Sequence, residues 1–298
     1  MIDKLEFLIA IAREQNFRRA AEACGVAQPT LSAAIKHLEE TLGVMLVRRN
    51  SRYQGLTPEG ERVLEWARRL VADSRAMREE IRTFRKGLSG HISIATIPTA
   101  LPYVPELTKP FQALHSGVRI TVHSRTSLEI LEELNDFRAD AGITYLGNEA
   151  IGRLRAVPLF TERYRLVTTH GGPADKKPSV TWAEARTLSL CLLTPDMQNR
   201  RILDQLLYPD DVTPMPCGVE SDSVIALLAH VRSGNWATIV SERVADTLAS
   251  AAPFRAIPIT DPDASFQVGL VVPDRQPMSP ILTALLHMIQ SQQSRRVA

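Results

Sequence analysis

The sequence predicts a mixed α/β protein in three parts: a small all-helical head, one long helix, and an α/β body of two lobes. Three observations predict it. Residues 18–57 read as two short helices joined by a tight turn and followed by a basic hairpin. Residues 58–87 hold no proline after Pro58 and step their apolar side chains at heptad spacing. From His91 onward, short apolar runs alternate with amphipathic stretches, the pattern of strand–helix–strand units.

In the head, residues 3–14 open at Asp3, an N-cap residue type, and place Leu5, Leu8, Ile9 and Ala12 on one stripe. Ala20 and Ala21 keep the second helix thin enough for close packing, and Gly25 supplies the permissive backbone of a helix-ending turn. Pro29 suits the first turn of the next helix, where its missing N–H is no loss. There Leu31, Ala34, Ile35, Leu38 and Leu42 form one apolar face. The other face carries Gln28, Thr30, Ser32, Ala33, Lys36 and His37, short or polar side chains able to enter a major groove and touch base edges. Arg48, Arg49 and Arg52 flank a predicted β-turn, placed to grip phosphate or a minor groove. Two helices and a glycine turn also occur in any small helical bundle, so the arginine hairpin carries much of the weight.

The run from Phe7 to Gly60 closely resembles the N-terminal winged helix-turn-helix of LysR-type transcriptional regulators. The matching residues are Phe17 with Ala20-Ala21, Gln28-Pro29-x-Leu31-Ser32, Leu38-Glu39-x-x-Leu42-Gly43, Leu46-x-x-Arg49 and Leu56-Thr57-x-x-Gly60. Ala33 and Ala34 stand where many members carry Arg and Gln, and Val47 where Phe is usual. The resemblance implies a DNA-binding domain over residues 1–57. Gln28, Pro29, Thr30, Ser32 and Lys36 would lie at the groove, and Arg48, Arg49 and Arg52 at phosphates or the minor groove.

Thr57 and Pro58 open the long helix as cap and first helical residue, with Glu59 in the first turn, and Gly87 ends it. Val63, Ala67, Leu70, Ser74, Met77, Ile81 and Phe84 make a heptad seam. A single apolar stripe needs a partner, either its own domain or a second copy of the chain. The second copy suits two half-sites on DNA, so residues 58–87 are read as a linker and dimerisation helix.

Ser89-Gly90 reads as a hinge. Beyond it, the strands around ISIATI, VRITVHS and ADAGITYL alternate with helices near 103–115 and over TSLEILEELNDF, which argues for parallel α/β units. TERYRLVTTHGG reads as the strand crossing into a second lobe, and FQVGLVV with ILTALLHMIQ closes the chain. This pattern, with Ser223-x-x-x-x-Leu228-x-x-x-Val231-x-x-Gly234, resembles the periplasmic-binding-protein-like effector domain of the same family. Trp236 and Ser241 depart from it, standing where glycine and proline are commoner. The effector domain is then residues 88–298, with lobe I at about 91–161 and 267–298 and lobe II at about 162–266.

The resemblance implies a small effector between the lobes, at Pro98, Thr99, Ala100, Thr126, Ser127, Thr194, Trp236, Ala237 and Thr238. Hydroxyls and N–H groups at helix starts favour an anion, and a small carboxylate is the expected ligand. Arg200 and Arg201 are open to pairing with it or to solvation on their helix.

Residues 1–86 carry 16 Lys and Arg against 12 Asp and Glu, and the rest 19 against 21, a basic head on a faintly acidic body. No apolar run reaches the length of a membrane span and no signal segment opens the chain, so a cytoplasmic protein without membrane partners is expected. Cys24, Cys191 and Cys217 show no metal spacing, and neither do the seven histidines. Cys191 and Cys217 read either as a redox pair or as small buried hydrophobes. An enzyme is disfavoured by the absence of G-x-S-x-G, P-loop, G-x-G-x-x-G and H-E-x-x-H motifs. A ligand-binding protein without DNA function is disfavoured by the basic head. The expected function is an effector-responsive transcriptional regulator without cofactor or metal. Its partners would be double-stranded promoter DNA, a small effector and further copies as a dimer or tetramer, with RNA polymerase admitted as another.

Overall fold

Helix α1 (Ile2–Glu14) stops where Gln15 turns into the left-handed region at φ 50°. Asn16 at once caps α2 (Phe17–Ala23), accepting from the N–H groups of Arg18 and Arg19 at 2.9 and 3.1 Å. Met1, not Asp3, holds the cap position of α1; Asp3 lies in the first turn, where its charge meets the positive helix end. Gly25 at φ +67° turns the chain toward α3 (Gln28–Leu42). Strands β1 (Val47–Arg49) and β2 (Tyr53–Leu56) then pair as an antiparallel wing. Helix α4 (Pro58–Lys86) follows, 29 residues long and so about 43 Å.

The computed structural model describes residues 1–49, 53–147, 154–209, 217–248 and 253–297. They group into two units, residues 1–90 with 275–284 and residues 91–274 with 285–298. The expected lobe I range is thus interrupted, since 275–284 groups with the head and long helix; Arg275 Nη1 bonds Asp73 Oδ1 at 3.3 Å.

The head core joins Leu8 and Ile11 of α1, Ala20 and Ala21 of α2, Leu31, Ile35 and Leu38 of α3, and Leu64 and Ala67 of α4. Leu42, expected on the apolar face of α3, is 43% exposed because it is the last residue before the Gly43 turn. Glu39 takes an inward place instead. It is 5% exposed, and its Oε1 accepts from the N–H groups of Leu46 and Val47 at 2.9 and 3.1 Å. Those donors open the wing, so one carboxylate holds the wing to α3.

Thr57 extends these contacts. Its hydroxyl donates to Met45 O at 2.6 Å and accepts from Gly60 N at 2.9 Å, while its own N–H bonds Leu46 O at 2.9 Å. Gly60 must be glycine, since a Cβ there would stand 2.1 Å from Leu46 O.

The heptad positions of α4 divide between two environments. Ala67 is fully buried in the head core and Val63 packs partly against it. Leu70, Met77 and Ile81 are 44, 55 and 52% exposed, and Trp66 joins them at 56%. Ser74 is half-buried, and the side chain of Phe84 lies outside the described residues.

After α4 the chain runs β3 (Ser89–Thr96), a 3₁₀ helix (Pro98–Tyr103), α5 (Val104–Leu114), β4 (Gly117–Ser124), α6 (Ser127–Asn135), β5 (Ala141–Tyr145) and β6 (Leu154–Glu162). It continues with β7 (Tyr164–Thr169), β8 (Val180–Thr181), α7 (Trp182–Ala185), β9 (Cys191–Leu193), α8 (Gln198–Leu207) and β10 (Val219–Ser221). It ends with α9 (Val224–Arg232), β11 (Thr238–Ser241), α10 (Glu242–Leu248), β12 (Phe254–Thr260), β13 (Phe266–Pro273) and α11 (Pro280–Val297). Ser89 and Gly90, read from sequence as a hinge, are the first residues of β3.

Lobe I is a sheet ordered β4-β3-β5-β13-β6, and lobe II a sheet ordered β11-β7-β12-β8 with β10-β9 joined through a Leu190–Ala237 bridge. The sheets are mixed rather than parallel. β3 with β5 and β9 with β10 are parallel, but β13 runs antiparallel to β5 and β6, and β11 and β12 run antiparallel to β7. In lobe I the return strand β13 supplies the antiparallel pairs, entering the sheet from the opposite end. The crossing strand expected over residues 161–172 is two strands that meet at Arg163, and Arg163 Nη1 pairs with Asp263 Oδ2 at 3.3 Å on the returning segment.

Glu39→Ala would strand two buried N–H groups at about 1–3 kcal/mol each, and Glu39→Gln, which keeps one acceptor, should cost less. Gly60→Ala should cost about 1–3 kcal/mol or more by overpacking. Urea melts of the three variants check the order. A Gly60→Ala variant as stable as wild type would contradict the packing of Leu46 on α4.

Candidate functional site

The outward face of α3 carries the residues expected at a groove. Gln28, Pro29, Thr30, Ala33 and Lys36 are exposed and Ser32 is half-buried. Arg48 is exposed on β1, beside this face in sequence and tied to it through the Glu39 contact. The side chain of Arg49 and the whole of Arg52 lie outside the described residues. Glu40 tempers the face, with Lys36 Nζ at 3.9 Å and His37 Nδ1 at 3.7 Å from its carboxylate. These exposed pairs are weak, and a phosphate can displace them.

In the second unit a cleft of 740 Å³ opens between the lobes. Pro98 and Thr126 line it from lobe I, and Met197, Ser223 and Val244 from lobe II. Two helices point their N-termini at it. Thr126 caps α6 through a reciprocal box with Glu129, and Ser223 caps α9 by accepting from Ala226 N at 3.4 Å. Thr99, Ala100 and Ser127 are buried behind this lining, with Thr144 Oγ1 donating to Ser127 Oγ at 2.9 Å. The rim is acidic: Glu129, Asp196 and Asp222 line it, and Arg125 is committed to Glu133 at 2.7 Å.

Thr194 is half-buried, and its Oγ1 is shielded from solvent without a hydrogen-bond partner among the described residues. Trp236, Ala237 and Thr238 do not line this cleft. Trp236 faces a separate cavity of 220 Å³ beside Cys217 and Leu192. Its ring lies over Gly218, where a Cβ would stand 2.3 Å from Cη2. Ala237 and Thr238 are buried at the start of β11. Arg200 is not a ligand candidate either. Its side chain is fully buried, with Nε on Asp204 and Nη1 on Glu220, both at 2.8 Å. Arg201 bonds Gln198 Oε1 at 2.8 Å.

Deeper, the lobes meet on one hydroxyl. Tyr145 OH on β5 donates to Glu162 Oε1 and accepts from Asn199 Nδ2 of α8 at 3.3 Å. Thr99 Oγ1 and Tyr164 OH each stand 3.4 Å from it. Ser241 of lobe II donates to Thr99 O at 3.3 Å. Burial pushes the Glu162 carboxyl up to about 7, the Tyr145 hydroxyl opposing this only in part. Burial also holds the Tyr145 and Tyr164 phenols well above their ordinary value. Sequence reasoning placed Tyr145 in the strand around ADAGITYL but singled out neither Glu162 nor Asn199. Glu162 sat inside a segment read as one strand, and nothing in its spacing distinguished it.

The two body cysteines face opposite sides of β9. Cys191 Sγ lies 3.6 Å from Leu227 O in the core under α9, whereas Cys217 lines the outer cavity with Leu190 and Leu192. Cys217 lies just before β10, and both thiols are free. Burial pushes Cys191 up to about 11 and raises Cys217 as well. Thiols in that state are poor nucleophiles.

The family model described as "Bacterial regulatory helix-turn-helix protein, lysR family" matches residues 2–61, and that described as "LysR substrate binding domain" matches residues 85–294. The DNA-binding transcriptional dual regulator OxyR of Escherichia coli K12 is 32% identical over 193 residues, 64% of this chain and 63% of that protein. A hydrogen peroxide-inducible genes activator of Dickeya chrysanthemi is 31% identical over 193 residues, again 64% and 63%. The chain thus spans less than two thirds of the length of these curated relatives. A full-length OxyR from Pseudomonas aeruginosa, solved as a cysteine-to-aspartate variant, superposes with a TM-score of 0.76 at 25% identity, covering 97% of this chain and 94% of that one. Full-length CbnR complexed with its target DNA shares the fold, with a TM-score of 0.67 at 21% identity over 98% and 99%. With both halves matched in order, the substrate-domain model alone covering most of the chain, the protein belongs to the LysR family of DNA-binding transcriptional regulators.

Proposed function

We propose that this regulator binds promoter DNA as a homo-oligomer and changes its DNA affinity when a small carboxylate enters the interlobe cleft. The observation that supports the reading is the cleft itself, lined from both lobes, with the caps of α6 and α9, Thr126 and Ser223, among its lining residues. A ligand there touches both lobes, so it binds one lobe arrangement better than another. Any ligand-driven switch rests on such a difference. In the head, Gln28, Thr30, Ser32 and Lys36 read the groove, with Pro29 setting the helix start, and Arg48, Arg49 and Arg52 hold backbone or minor groove. The exposed stripe of Trp66, Leu70, Met77 and Ile81 on α4 is the proposed contact with a second copy. RNA polymerase is a further proposed partner of the DNA-bound form.

A second reading, hydrogen peroxide as the signal, is favoured by the names of the relatives. Cys191 argues against it, although Cys217 is half-buried with its Sγ 3.7 Å from Arg200 Nη1. Peroxide sensing by cysteine needs an accessible thiolate, and Cys191 is buried with its thiol pushed up to about 11.

Three outcomes are expected. Replacing Arg48, Arg49 and Arg52 together with Ala should lower the slope of log affinity against log salt on nonspecific duplex by about 0.9 for each phosphate the wing neutralises. An unchanged slope counts against the wing. Leu70→Asp with Ile81→Asp should reduce the sedimenting mass to that of one chain, and an unchanged mass would refute the α4 seam. Melting of the full chain against one- to four-carbon carboxylates should show one that stabilises by about 2.7 kcal/mol at 100 times its Kd. A DNA response to peroxide that vanishes in the Cys191→Ser, Cys217→Ser double variant would instead establish the second reading.

A further inference from the structure

The side chains that line the 740 Å³ cleft are of three kinds, and the kinds are segregated. Leu101 and Pro102 from lobe I and Ile225, Val244 and Leu248 from lobe II make apolar walls. Leu101, Ile225 and Leu248 are 38, 73 and 42% exposed. Among the described residues of this unit, only Leu114 and Leu128 join them as exposed large apolar side chains. Uncovered apolar side chains gathered at one cavity mark it for an apolar occupant.

The charged lining divides by lobe. Lobe I brings Arg125, whose Nε is held by Glu133 at 2.7 Å and whose Nη1 donates to Ser124 O at 2.8 Å. Its Nη2 has no partner among the described residues. Thr126 Oγ1 beside it accepts from Glu129 N at 3.2 Å and has no acceptor for its own proton among the described residues. Glu129, the lobe I carboxylate of the lining, is taken up by the N–H of Thr126 at 2.8 Å. Lobe II brings Asp196 and Asp222, exposed carboxylates without a side-chain hydrogen bond or ion pair among the described residues. Arg201 is near the first of them, but it bonds the Asp196 backbone oxygen at 3.0 Å and Gln198 Oε1 at 2.8 Å.

A plain carboxylate meets the donors of lobe I and is repelled by the carboxylates of lobe II. A plain amine meets only lobe II. A molecule with both groups and an apolar tail matches the whole lining. We propose that the effector is an apolar α-amino acid. Its carboxylate lies on Arg125 Nη2 and the Thr126 hydroxyl, its ammonium on Asp222 and Asp196, and its side chain on Leu101, Ile225 and Leu248. This rests on the carboxylate reading above and narrows it. Such a ligand spans the lobes with opposite charges at its two ends. It therefore favours the arrangement that brings Arg125 and Asp222 to those ends.

Isothermal titration of the full chain with leucine, isocaproate and isoamylamine separates the three contributions. Isocaproate lacks the ammonium and isoamylamine the carboxylate, and both keep the branched tail of leucine. Leucine should bind about tenfold or more tighter than either, the worth of one charge-assisted hydrogen bond. It should also exceed glycine about tenfold through its buried side chain. Asp222→Asn changes an exposed residue and should weaken leucine about tenfold, while isocaproate binds at least as tightly as before. Isocaproate or glycine as tight as leucine overturns the inference and leaves the carboxylate reading standing. So does full leucine affinity in a variant carrying both Asp222→Asn and Asp196→Asn. Binding of isoamylamine with neither acid bound removes both readings. Silence toward all three overturns the inference alone, because the smaller acids still test the carboxylate reading.

Discussion

Buried polar groups must find partners, and this constraint shapes both halves of the molecule. In the head, the Glu39 carboxylate is sunk in an apolar core and is kept there by the two N–H groups that open the wing. Remove the carboxylate and the wing loses this anchor. The groove-facing side of α3 and the arginine strand therefore move as one body. Thr57 and Gly60 extend the same logic to α4, which begins against the backbone of Leu46 with no room for a side chain between. Reading DNA needs a helix and a wing held at a set spacing, and three residues outside the reading face supply it.

In the body the same constraint is met incompletely. The Tyr145 hydroxyl gathers Glu162, Asn199, Thr99 and Tyr164 from both lobes, yet Glu162 Oε2 has no hydrogen-bond partner among the described residues.

Much of the head was legible because its signals are local. Gly25, Pro29, Thr57 and Gly60 each act within a few residues, and α4 begins and ends where its caps say it should. Asp3 misled only by position, being an acid in a first turn rather than a cap. The body was legible in outline alone. Strands β6 and β12 were missed because Pro158 and Pro258 interrupt them and proline demotes a strand. Both prolines are accommodated, Pro158 opposite Gly269 at an irregularity in register and Pro258 at the end of the β12–β7 pairing. The buried hydroxyl cluster between the lobes was illegible for another reason. Tyr145, Glu162 and Asn199 stand far apart in the chain, and each reads singly as an ordinary strand or helix residue. Trp236 was drawn off the expected site by Gly218, a close approach no spacing could reveal.

The LysR substrate binding domain model matches the part of the chain that holds the cleft, and the residues lining it bear on the chemistry of the proposed signal. Relatives named for hydrogen peroxide share about a third of matched positions with this chain, but its own thiols are raised and held on opposite faces of β9. The most direct measurement is the affinity of the full chain for a duplex it has itself selected from random sequence, by fluorescence anisotropy with each carboxylate and with peroxide. One carboxylate should change that affinity about 5–150-fold, the range of ordinary allosteric coupling. Affinity indifferent to every carboxylate and altered by peroxide alone would contradict the reading of the cleft.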